Sequence, residues 1–155
     1  KNIIELLRSF IDTASINEDL FKKSKDLTLK ILESDTEEDI KKTVEQSFKK
    51  DFEVDKCMLE FYDNDALDKI ENATGLSMHK GAIHCGSFSN EKMLFLFSDK
   101  KIESLVVAVI VIGEKIGLLK LGSYDRTKYL GDEDTTFIEY IRDILEKKLT
   151  SSYGK

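Results

Sequence analysis

The sequence predicts an α+β domain, an antiparallel sheet flanked by helices, and three observations predict it. The first third of the chain spaces its apolar residues three and four apart, as one face of a helix does. The middle changes to short apolar runs bounded by turn residues, as strands do. The end returns to a helical stripe, and no unit of strand plus long helix recurs, so a parallel sheet built from crossovers is not expected.

In the first third Ile3, Leu7, Phe10, Ala14, Asn17, Phe21, Ser24, Thr28 and Ile31 fall on one face, widened by Ile4, Ile11, Leu20 and Leu27. This is a long amphipathic helix, or two with a break near Ser15. Asn17, Ser24 and Thr28 make the stripe less apolar than a core helix usually is. It fits either a dimer seam, where polar residues set the register, or a helix packed on its own domain.

The next stretch, ESDTEEDIKKTVEQSFKKDF, opens on Asp35 or Thr36, either of which can accept from the first unpaired amides. Acids at 37 to 39 suit the positive end of the helix dipole. Ile40, Val44 and Phe48, four apart, give this second helix one buried edge.

After Asp55, KCMLEFYD reads as a buried strand and GAIHCG as a short one. SNEKMLFLF reads as a short helix capped by Ser89. SLVVAVIVIG and EKIGLLKLGS are two strands joined through Gly113, Glu114 and Lys115, a link so short that they must be antiparallel. In DEDTTFIEYIRDILEKKL, Phe137, Ile138, Ile141, Ile144, Leu145 and Leu149 form the stripe of a closing helix.

Size and composition narrow the function. The chain has 155 residues, 41% hydrophobic and 35% charged, which is one domain's worth with enough apolar material for one core. A net charge of −6 opposes condensation onto a polyanion, so no nucleic-acid partner is expected. The longest apolar run, Leu105 to Ile112, is far short of the roughly 20 residues that span a bilayer, so no membrane partner is expected either. With no secretory signal pattern at the start, a cytoplasmic protein is expected. Two cysteines, Cys57 and Cys85, are too few for a disulfide framework, and Cys57 in its apolar run reads as a core residue.

Motifs for catalysis are lacking. There is no glycine-rich phosphate loop and no G-x-S-x-G elbow. His79, His84 and Cys85 lack the paired spacing of a structural zinc site, so no metal is expected. His84 and Cys85, adjacent on a strand, point to opposite faces and do not form a nucleophile and base. Were the chain an enzyme, His84, Cys85 and Asp125 would be the first suspects. Glu60 interrupts an apolar strand, and alternation puts it on the face opposite Leu59 and Phe61, usually the solvated one. Phe61, Tyr62, Phe88, Phe95 and Phe97 fit either a core or a pocket for a flat ligand. The phrase GSYDR reads as punctuation between the last strand and the last helix: Gly122 relaxes the backbone, Asp125 bonds loop amides two residues on, and Arg126 and Lys128 face water.

The hairpin ending in KIGLLKLGSYD, followed by DEDTTFIEYIRDIL, resembles the end of a GAF domain. The order of ASINEDLFKKSKDLTLKILES, FEVDKCMLEFYD, IHCGSFSNEKMLFLF, ESLVVAVIVI and GLLKLGSYD resembles more closely the bacterial GAF-like family called domain of unknown function 484. The stretch Asn64 to Lys80 has no counterpart in that resemblance.

The resemblance implies a GAF-like sheet of about five to six strands, with the first and last helices together on one face. Residues 1–33 would be the dimerising N-terminal helix and 34–152 the GAF-like domain. It also implies a non-catalytic sensory or regulatory module that binds a small molecule or a protein partner and forms a homodimer, with no cofactor specified. The expected pocket lies over the sheet beneath Asn64 to Phe88 and draws on Phe61, Cys85, Phe88, Ser104 and Ser123. A dimeric adaptor that keeps no ligand is the alternative.

Overall fold

The computed structural model describes residues 3–5, 18–52, 54–126 and 132–153, of which 3–5 are helical. In chain order the remaining elements are α1 (Glu18–Glu33), α2 (Glu37–Asp51), β1 (Lys56–Tyr62), α3 (Asn64–Thr74), β2 (Ile83–Gly86), α4 (Asn90–Phe97), β3 (Ser104–Ile112), β4 (Lys115–Ser123) and α5 (Asp132–Tyr153). Of the expected long N-terminal helix, α1 and residues 3–5 are described, and the stretch between them, with Asn17 and the break near Ser15, lies outside the described residues.

The strands form one antiparallel sheet in the order β1-β4-β3-β2. Four strands are present among the described residues, not the five to six expected. Between β1 and β2 the chain is helical instead, and its caps explain why. The Asp63 carboxylate accepts from the Ala66 amide at 2.8 Å, Leu67, Ile70 and Thr74 turn inward at spacings of three and four, and Gly75 ends the helix at φ 71°.

Register divides the side chains between two faces. Cys57, Leu59 and Phe61 of β1, Val106, Ala108, Ile110 and Ile112 of β3, and Leu119 and Leu121 of β4 share face one. Met58, Glu60 and Tyr62, then Leu105, Val107 and Val109, then Leu118 and Lys120 share face two. The central strand β3 is covered on both sides, with Leu105 to Ile110 wholly inaccessible, which accounts for its unbroken apolar sequence.

Face one carries α1, α2 and α5. Ile40, Val44 and Phe48 of α2 and Phe137, Ile138, Ile141, Ile144, Leu145 and Leu149 of α5 are all buried there, as their spacing predicts. Thr36 caps α2 by accepting from the Asp39 amide at 3.1 Å. The rings of Phe52 and Phe137 stack at 4.7 Å, with Phe48 tilted against both. Leu27 and Ile31 of α1 join the same core, and Ser24 and Thr28 are buried beside them, with the Thr28 hydroxyl donating to the Ser24 carbonyl. The α1 stripe from Ser24 to Ile31 is therefore used within its own domain.

Face two carries α3, the connection 75–82 and α4, through Leu67, Ile70, Met78, Ala82, Met93, Leu96 and Phe97. Ser89 caps α4 as expected, accepting from the Lys92 amide at 3.3 Å. The β3–β4 turn is two residues, Gly113 and Glu114, with Gly113 at φ 62° as a tight hairpin requires. Two helices reach the backbone of the sheet. Glu45 of α2 accepts from the Leu59 amide on the outer strand β1 at 3.0 Å, and Glu146 of α5 accepts from the Val111 amide, beyond the end of β2, at 2.9 Å.

Candidate functional site

The buried side chains that the sheet presents on face two are apolar except at one place. Lys120 sits on β4 with Met58 and Val107 as its cross-strand partners, and among the described residues it is the only buried charged side chain, 4% exposed. Its ammonium has three protons to place, and three oxygens take them. Glu60 Oε1 is 2.9 Å away, the Leu96 carbonyl of α4 2.8 Å, and the Tyr62 hydroxyl 3.2 Å. The Tyr62 ring also lies within 5.9 Å of the ammonium.

Each partner has a structural origin. Glu60 and Tyr62 alternate with Leu59 and Phe61 on β1, so the strand's period of two delivers both to face two. Leu96 belongs to the last turn of α4, where carbonyls have no partner within the helix, and a cation there also meets the negative end of the helix dipole. Burial pushes the Tyr62 phenol well above its ordinary value of 10.0, and the Glu60 charge and a hydrogen bond to that carboxylate push it further. The phenol thus stays protonated, donating to Glu60 and accepting from Lys120. The Glu60 side chain is 33% exposed, so the cluster runs from the covered lysine to the protein surface.

The expected pocket residues divide between the faces. Phe61 lies on face one at the hairpin end of the sheet, its ring over Gly117. Phe88 packs against the core of face two, with the Lys92 ammonium 5.9 Å from its ring. Ser104 and Ser123 are direct cross-strand partners, and register puts Cys85, opposite Val106, on the same face as Ser104. Cys85 is exposed, whereas both serines are buried and their hydroxyls are engaged locally. Ser104 donates to the Asp125 carbonyl at 2.6 Å, and Ser123 lies 3.4 Å from Asp55 Oδ2 and accepts from the Asp125 amide at 3.0 Å. Cys85, Ser104 and Ser123 therefore share one face and one end of the sheet, with Phe61 at its other end and Phe88 on its other side.

The GSYDR phrase is a clasp. Asp55 Oδ2 accepts from the Tyr124 amide at 2.8 Å, and the Tyr124 hydroxyl donates to Asp99 Oδ2 at 3.0 Å. Arg126 is exposed as expected, and Lys128 lies outside the described residues. Gly122 corrects one expectation. It stays in β4 without a positive φ, and its role is clearance, since a Cβ there would lie 2.9 Å from Ile102 Cδ1 and 3.1 Å from Phe97 Cε1.

His79 and His84 both converge on Ser77, His84 Nε2 on its carbonyl at 2.6 Å and His79 Nδ1 on its hydroxyl at 3.1 Å. Among the described residues no group of three or more His, Cys, Asp or Glu side chains is placed to hold a metal ion. Burial pushes the Cys57 thiol far above its ordinary range, so it is an inert core group.

Lys120 is the site residue that sequence patterning misses. The signal is a lysine in LLKLG, a position that alternation assigns to a sheet face already occupied by apolar neighbours. Its meaning emerges only when β1 and β4 are paired, because Glu60 is 60 positions away.

The fold is an α+β domain with one antiparallel sheet covered by helices on both faces, and its distinctive feature is the ionic cluster that a buried lysine forms beneath a short helix. The family model described as "Protein of unknown function, DUF484" matches residues 1–153, and the chain belongs to that family. No curated protein matches it. No helix among the described residues is long and apolar enough to cross a membrane.

Proposed function

We propose that this chain is a GAF-like, non-catalytic regulatory domain of the cytoplasm, which takes a small molecule on face two beneath α3 and α4 and pairs with a second copy through its N-terminal helical segment. The observation that carries the ligand half is the Lys120 cluster. A buried ion pair costs desolvation that an apolar residue of similar size would not, so stability alone does not favour a lysine at that position. Ionisable groups held in such surroundings gather at functional sites. The GAF-like reading is supported by the antiparallel sheet and by α1 and α5 sharing the core of face one.

Native mass spectrometry of gently purified full-length chain tests the ligand. The expected result is an excess mass that the Lys120→Met variant loses. Repeated spectra at the bare chain mass would end the ligand reading and favour the adaptor, whose ligand-free layer would be the one filled by Met93, Leu96 and Phe97 at 0–3% exposure.

The dimer half needs a narrower seam than the stripe from Ile3 to Ile31. Ser24, Leu27, Thr28 and Ile31 face their own core, so pairing is assigned to the earlier positions Ile3, Leu7, Phe10 and Ala14. The double variant Leu7→Glu, Phe10→Glu is expected to run as a monomer by light scattering. A variant that keeps the wild-type mass places the interface elsewhere.

A further inference from the structure

Segment 87–98 is joined to the sheet in a particular way. Met93, Leu96 and Phe97 are buried against face two, while Leu94 and Phe95 are 40% and 50% exposed, so the apolar run that ends this helix lies only partly covered. The segment starts after Gly86 at φ 126° and ends at Ser98 at φ 58°, a left-handed conformation rare for a residue with a side chain. Such element-terminal positions are where hinges absorb backbone rotation. Its polar tie to the sheet is the bond from Lys120 to the Leu96 carbonyl.

Two of the three acceptors around Lys120, Glu60 and Tyr62, come from β1, which is paired to β4 along its whole length. They remain in place if α4 moves, whereas the Leu96 oxygen does not. We propose that α4 is a lid over face two, latched by Lys120, and that the ligand that lifts it presents a carboxylate or carbonyl oxygen to the ammonium in place of Leu96. This rests on the small-molecule reading above for the location of the ligand and adds its chemistry.

Lifting the helix takes one of the three acceptors from the ammonium, and an occupant that displaces water from the space between α4 and Met58, Val107 and Leu118 has to replace that acceptor. An occupant without an oxygen leaves that donor orphaned and is rejected, as sites built around a buried polar group reject analogues that lack its partner. The surrounding layer, Leu105, Val107, Val109 and Leu118, is apolar, so the rest of the ligand is apolar too. The chemical class is an amphiphilic acid or carbonyl compound.

Hydrogen exchange measured by mass spectrometry on the full chain tests both parts, with decanoate and decylamine as probes. Lys120→Met keeps an unbranched side chain only one atom shorter and removes its donors. Exchange across 87–98 is expected to rise roughly 10- to 100-fold in this variant, the value of one hydrogen bond to a charged group, while β3 and β4 keep wild-type rates. An equal rise across all three segments, or none, overturns the latch. In the wild-type chain decanoate is expected to raise exchange across 87–98 and decylamine to leave it unchanged, a contrast that needs no variant to fold. Equal responses to the two probes, or no response to decanoate, overturn the oxygen exchange. A native ligand that carries no carboxylate or carbonyl oxygen would sink this proposal and leave the ligand reading intact. A latch effect with no ligand in native spectra would sink the reading and leave the latch.

Discussion

Phe61 and Gly117 are cross-strand partners, and the phenyl ring occupies the place where a side chain on Gly117 would be: a Cβ there would lie 2.8 Å from Phe61 Cε1 and 2.9 Å from Cδ1. The aromatic covers bare backbone in the pair of strands that forms one edge of the sheet, a role that needs no ligand. Gly117→Ala is expected to cost about 1–3 kcal/mol in urea denaturation, the usual range for overpacking. Adding Phe61→Leu should recover part of the loss. If the two substitutions simply add, the ring and the glycine are not coupled.

Asp55 joins the start of β1 to the end of β4 through the Tyr124 amide and the Ser123 hydroxyl. Asp55→Ala removes both and should lower stability by about 1 kcal/mol, since the site is exposed and water replaces part of the loss. Asp55→Asn keeps an acceptor and should fall between. A midpoint for the alanine variant equal to wild type would show that the clasp is incidental.

The Tyr62 phenol ionises late, because burial and the neighbouring Glu60 both oppose its anion. Below 10.0, the ordinary phenol value, Tyr62 is protonated in folded and unfolded chains alike, and its contribution to stability is whole. As pH rises above that value the unfolded chain gives up the proton and the folded one keeps it, so stability falls. Phenolate absorbance should show one of the five tyrosines titrating only with unfolding, and Tyr62→Phe should remove that step and flatten the alkaline loss. Persistence of the late step in the variant would assign it to another tyrosine.

The two cysteines should react on different timescales. Cys85 is exposed on β2, whereas Cys57 is buried on β1 with its thiol pushed up by burial and by the charge of Glu45. A thiol reagent should modify one group quickly and the second only as fast as the chain unfolds, and Cys57→Ser should abolish the slow phase. Equal rates for both in the folded protein would contradict the burial of β1.

Much of this fold is legible in the sequence because local chemistry and global packing agree. Thr36, with three acids behind it, and Ser89 announce helix starts that form. The stripes of α2 and α5 bury the residues their spacing selects. Helix α3 carries signals as clear, with Asp63 and Gly75 bracketing Leu67, Ile70 and Thr74, but Asn64 to Lys80 has no counterpart in the family resemblance, and the reading of the sequence assigns it no element. The candidate site was not legible, for a physical reason. Alternation puts Glu60 on the correct face but cannot tell how far that face is covered, and its solvated reading holds only in part, because the carboxylate stays 33% exposed while it pairs with the buried Lys120. Gly122 reads as a flexible strand end, and only the neighbouring Ile102 and Phe97 reveal that it is small because there is no room.

The carboxylates of Glu45 and Glu146, each seated on a strand amide, have a consequence for the molecule in a crowded solution. An incoming extended chain seeking to prolong the sheet beyond β1 would have to evict a charged side chain from the Leu59 amide before gaining its own bond there. The same obstacle stands at Val111. The protein therefore discourages its sheet from growing into a fibre with groups that its helices carry, and leaves the strands themselves free to be as apolar as the core demands.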